Sequence, residues 1–88
     1  MKRRYVLKRI NDGQQWVSNN IKYVEWKDDV FGGLYEDIAV GRSCILSPEK
    51  GMYFEWLTTV IQSFEYRDVE LHFHTLNSHY IIAPLDDN

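Results

Sequence analysis

The stretch PEKGMYFEWLTTVIQSF, residues 48–64, decides the fold. Its apolar residues Tyr53, Trp56, Leu57, Val60, Ile61 and Phe64 recur three and four apart, which is helical spacing, and Ser47 followed by Pro48 resembles a helix cap with proline at the first position. Against a helix stand Thr58-Thr59-Val60-Ile61, a run of β-branched residues that are stiff at χ1, and Gly51, which would fall in the first turn. A strand is therefore expected here. The alternative is an α+β fold with a helix at about 48–64 packed on an antiparallel sheet.

Both flanks favour the strand. On the N-terminal side, Arg3 to Ile10 reads as a strand ended by the turn tripeptide Asn11-Asp12-Gly13, and a return strand runs through Trp16 and Val17. Asn19-Asn20 is a break, and Ile21 to Trp26 alternates in a way that suits a strand packed in part on both sides. Lys27 to Asp37 reads as a glycine-broken acidic loop. Ile38 to Leu46 is a central strand with Ile38, Val40, Cys44 and Leu46 inward and Arg42 out of pattern. On the C-terminal side, Val69–Thr75 and His79–Ala83 flank the polar turn Leu76-Asn77-Ser78 as a hairpin that Pro84 ends, before an acidic tail from Leu85. Five to six short strands in one 88-residue domain, 1–88, predict an all-β fold, a small SH3-like barrel, because closure removes exposed edges.

Thirteen aromatic side chains supply the buried area that so short a chain needs. Cys44 is the only cysteine, so no intramolecular disulfide can form and a reducing, cytoplasmic setting is expected. The basic start MKRRYVLKRI has no apolar run of a secretory signal, and no stretch approaches the roughly 18 apolar residues of a membrane span. No membrane association is expected. Net charge is −3, yet Lys2, Arg3, Arg4, Lys8 and Arg9 fall in the first nine residues and all the acids lie beyond them. This layout predicts a small basic patch on an acidic body.

The runs Glu55-Trp56-Leu57-Thr58-Thr59-Val60 and His74-Thr75-Leu76-Asn77-Ser78-His79-Tyr80 resemble a pattern in small uncharacterised proteins of bacteriophages and other mobile elements. The resemblance covers the C-terminal half. It implies a strand for the first run, a hairpin turn for the second, and an accessory or host-directed factor that acts by binding. It carries no catalytic residues.

Three surfaces are candidates for function. The loop Lys27–Asp37 carries Phe31, Leu34 and Tyr35 among Asp28, Asp29, Glu36 and Asp37, an aromatic anchor in an acidic rim that suits a basic groove on a host protein. The competing reading tucks Phe31 and Leu34 under the barrel while Gly32-Gly33 makes the turn. Second, Lys2, Arg3, Arg4, Lys8 and Arg9 around Tyr5 suit single-stranded nucleic acid, or else blunt an edge strand by charge.

Third, His72, His74 and His79 lie on the two arms of one hairpin, where pairing can place them on one face beside Glu70 and permit zinc ligation. The simpler reading makes Glu70, His72 and His74 the solvated side of a strand, and no metal or other cofactor is assigned. Catalysis is not expected either. Cys44 belongs to an apolar strand, and Gly32-Gly33 lacks the Lys-Ser/Thr of a phosphate loop. A non-enzymatic module that binds a host protein through the acidic aromatic loop is the leading expectation, and a nucleic-acid-binding barrel is the alternative.

Overall fold

The computed structural model describes residues 3–48 and 54–85. Eight strands run through them: β1 (Tyr5–Arg9), β2 (Gln15–Ser18), β3 (Ile21–Lys27), β4 (Val30–Tyr35), β5 (Arg42–Leu46), β6 (Trp56–Arg67), β7 (Glu70–Thr75) and β8 (His79–Pro84). No helix occurs among the described residues, so none crosses a membrane. The strands form one antiparallel sheet in the order β2-β1-β8-β7-β6-β5-β3-β4. The protein is all-β. The expectation of five to six strands closing into an SH3-like barrel is corrected, because eight strands form an open, strongly curled sheet, a half-barrel.

The stretch that left two readings open is strand from Trp56 onward; residues 49–53 lie outside the described residues. Its helix-like spacing has, in part, a structural cause. Ser43 pairs with Val60 but Ile45 with Leu57, and Ile61 pairs with Thr75 but Ser63 with His74, so β6 carries an extra residue in each register. Each bulge resets the alternation. Inward positions therefore fall at Trp56, Thr58, Ile61, Phe64 and Tyr66; Trp56, Ile61 and Phe64 belong to the helix-like series, whereas Leu57 and Val60 pair with Ile45 and Ser43 on the outer face. At the first bulge the Cys44 N–H donates to Thr58 Oγ1 at 2.9 Å, and that hydroxyl donates to the Thr59 carbonyl at 2.8 Å. A side chain thus replaces the missing ladder acceptor.

β6 also joins the two halves of the sheet, pairing with β5 through its first residues and with β7 through its last. The curl is set by a short connection. Only Asn19 and Asn20 separate β2 from β3, although these strands lie near opposite ends of the sheet. The Ser47 N–H donates to the Asn20 carbonyl at 2.8 Å, the Ser18 and Ser47 hydroxyls lie 2.8 Å apart, and Trp16 of β2 stacks on Trp56 of β6 with ring centroids 4.4 Å apart.

The inner face holds the core: Leu7, Tyr23, Cys44, Leu46, Ile61, Leu71, Phe73, Tyr80 and Ile82, with Ile38 folded in from the β4–β5 connection. Phe73 stacks on Tyr80, as the hairpin alternation predicts. The expected strand Ile38–Leu46 begins only at Arg42. Gly41 turns the chain at φ +93°, and Val40, expected inward, is 62% exposed. β3 is packed on both faces, as its pattern suggests. Tyr23 points into the core, while Val24 and Ser43 are buried on the outer face, where the Trp26 indole reaches across and donates to Ser43 Oγ at 2.9 Å.

Candidate functional site

The expected loop Lys27–Asp37 is a β-hairpin. The turn is Asp28-Asp29, with φ of +52° and +63°, between the paired residues Lys27 and Val30. Two consecutive positive φ values define the hairpin turn whose twist matches its strands. Gly32 and Gly33 sit inside β4 and make no turn. The register shifts opposite Glu25 and Trp26, and a Cβ at Gly32 would stand 2.9 Å from the Glu25 carbonyl oxygen. Glycine is required there by close approach of two backbones.

β4 is an edge, paired only with β3. Phe31 faces Trp26 and Leu34 faces Val24, so both lie on the outer face. The tucked reading of these two residues is overturned. Phe31 is 56% exposed, Leu34 43% and Val30 63%. Tyr35, opposite Tyr23, lies on the inner side, and the Arg42 guanidinium sits 4.1 Å from its ring centroid. Arg42 also pairs with Glu25 at 3.2 Å and donates to the Asp37 carbonyl at 2.7 Å.

The four acids form no single rim. Asp28 and Asp29 occupy the tip, whereas Glu36 and Asp37 stand at the other end of β4, about 20 Å away at the usual rise per residue. Glu36 is in an ion pair with Lys22. The structure brings Asp28 and Asp29 together with Val30 and Phe31, with Leu34 further along the same strand, and leaves Tyr35, Glu36 and Asp37 in other contacts.

The basic residues divide between environments. β1 lies between β2 and β8 and is not an edge, which corrects the edge-strand reading. Arg9 is committed within the fold. It binds Asp12 at 2.7 Å and Gln14 at 2.8 Å, and its guanidinium lies over the rings of Trp16 and Trp56 at 5.5 and 5.1 Å. The hydrogen bond from Arg9 holds the Asp12 carboxyl below the usual carboxylate range. Arg3, Arg4 and Lys8 are exposed, and Lys2 lies outside the described residues.

The three histidines do share one face, beside Glu70. His72 is not solvated as expected; it is 8% exposed, beneath the outer surface where β6 and β8 flank β7. Its Nε2 lies 3.0 Å from Glu70 Oε1 and its Nδ1 lies 3.3 Å from His79 Nε2. His74 stacks on His79 with centroids 4.2 Å apart. Burial, then the charges of His74, His72 and Arg67, lower the pKa of His79. No group of three or more His, Cys, Asp or Glu side chains among the described residues is arranged to hold a metal ion. Cys44 is fully buried and burial pushes its thiol well up, so it is inert packing.

One feature escaped the sequence. A cleft of about 400 Å³ opens on the inner side, floored by Tyr23, Leu71 and Ile82 and walled by Tyr5, Tyr66 and Asn20. Its walls come from several strands and the β2–β3 connection, so no contiguous motif could have announced it. Comparison with protein-family models, with curated proteins and with solved structures finds no match to this chain.

Proposed function

We propose that this protein is a non-enzymatic binding module that engages a partner protein through the β3–β4 hairpin. The observation that carries the reading is the exposure of Val30, Phe31 and Leu34 on a strand that, among the described residues, has no neighbour on its far side. Phe31 as an aromatic anchor with Leu34 on the same face supplies binding energy, and Asp28 and Asp29 at the tip steer a basic partner toward it. The bulge at Gly32 breaks the flat edge, which favours recognition by side chains over addition of a partner strand. A cytoplasmic accessory protein of a phage or mobile element, acting on a host protein, is the setting we propose. That setting rests on the resemblance of the C-terminal half alone.

Affinity capture from host lysate tests the reading, run in parallel with Phe31→Ala and with Asp28→Asn/Asp29→Asn. Loss of a specific partner in both variants supports it. Recovery of the same partner by all three proteins removes the hairpin as the binding surface. The alternative, nucleic-acid binding through Arg3, Arg4 and Lys8, predicts a steep fall of affinity with salt that Arg3→Ala/Lys8→Ala flattens.

A further inference from the structure

We propose that His72 and His79 form a two-imidazole site for a late first-row divalent cation such as Zn²⁺, on the outer face of β7 and β8. This site is separate from the β3–β4 hairpin and does not depend on what the hairpin binds.

The geometry begins with Glu70. Its carboxylate lies 3.0 Å from His72 Nε2; in the tautomer whose Nε2–H donates to that carboxylate, Nδ1 of His72 carries a bare lone pair. That lone pair looks toward His79 Nε2, 3.3 Å away. Two imidazole nitrogens bound to one tetrahedral zinc at about 2.0–2.1 Å are separated by about 3.3–3.4 Å, so the spacing that in the metal-free protein makes a ring-to-ring hydrogen bond also fits two ligands of a common ion. A carboxylate that holds the far nitrogen of a ligating histidine is the usual outer partner of such a site, fixing the tautomer and ring orientation.

Burial supplies rigidity. His72 is buried between β6 and β8 beside a hollow of about 200 Å³ lined also by Ser63, Phe64, Glu65, His74 and the cationic Arg67, while His79, outside that hollow, is braced by the stacked ring of His74. Imidazole donors suit zinc, copper and nickel and not magnesium. The chain supplies two ligands, and water completes the coordination. His74 stacks face to face on His79 and acts as a brace.

The test uses the untagged full-length protein, stripped of metal and labelled with ¹⁵N at histidine, titrated with Zn²⁺ and separately with Mg²⁺. We expect saturation near one equivalent of Zn²⁺, with the bound-state shift at Nδ1 of His72 and at Nε2 of His79. His79→Ala and Glu70→Gln should each weaken Zn²⁺ binding by about 10-fold or more, and His74→Ala by less than about threefold. Glu70→Gln keeps both ligands and the shape of the strand, so its result stands if His79→Ala perturbs folding. The proposal is overturned if Zn²⁺ moves neither nitrogen, if His72 responds through Nε2, if Mg²⁺ acts equally, or if His74→Ala matches His79→Ala.

Discussion

The two edges of the sheet are finished in opposite ways. At one end β2 is four residues long, and its aromatic residue Trp16 turns back onto Trp56 under the Arg9 guanidinium, while Val17 on its other face stays 42% exposed. At the other end β4 is six residues long, and Phe31 and Leu34 stand on the outer face, where they stay exposed among the described residues. Exposed edges promote unwanted association and are commonly blunted. A protein that packs away the aromatic of one edge and leaves that of the other exposed makes β4 the stronger candidate for a partner.

The sharpest way to break this comparison is to truncate one aromatic at each edge. Trp16→Ala should cost about 2–4 kcal/mol in urea denaturation, since it removes a stacked ring and part of the packing under Arg9. Phe31→Ala should change stability by no more than about 0.5 kcal/mol. Equal costs would mean that β4 is packed like β2, and the contrast would collapse.

The stacking of Trp16 on Trp56 spans the curl, and β6 is the strand that joins the two halves of the sheet across it. Thr58→Val keeps the shape of the side chain but leaves the buried Cys44 N–H without its acceptor, at an expected cost of about 1–3 kcal/mol. A neutral result would show that the bulge does not need that hydroxyl. At the open edge, Gly32→Ala places a methyl 2.9 Å from the Glu25 carbonyl oxygen. We expect a loss of about 1–2 kcal/mol and altered amide shifts confined to β3 and β4. Shifts spreading to β2 would show the two edges to be coupled.

The smallest effect is one of pH, and it lies on the histidine face between the edges. His79 has a folded pKa below its ordinary 6.5, chiefly through burial. The unfolded chain therefore takes up this proton first as pH falls, so His79 lowers the stability of the metal-free protein below about pH 6.5 and adds no slope above neutrality. Denaturation midpoints at pH 7.5 and pH 5.5 measure the slope. His79→Ala should flatten it, whereas Phe31→Ala should leave it unchanged.

Much of this fold is legible in particular residues. The alternation Leu71, Phe73 against Glu70, His72, His74 places the core side of β7 correctly, and Tyr80 and Ile82 do the same for β8. The β-branched run at 58–61 outweighs the helical spacing around it. The glycine pair misled because glycine is as much at home in a bulge as in a turn, and the turn was made instead by two aspartates in the left-handed region. Of the binding surface, the residue types were visible, but the division of Phe31 and Tyr35 between opposite faces was not. It depends on a one-residue register shift at Gly32.

What is local was readable from the chain: strand propensity, the core side of β7 and β8, the hairpin turn at 76–78, and the crowding of three histidines on two arms. Only the tertiary structure decided that β1 is interior while β2 and β4 are edges, that His72 is buried and aimed at His79, and that a cleft opens beside Tyr23. The physical reason is the range of the interactions. Alternation is written in neighbouring residues, whereas pairing order, bulge position and curl are settled by backbone hydrogen bonds between segments far apart in the chain.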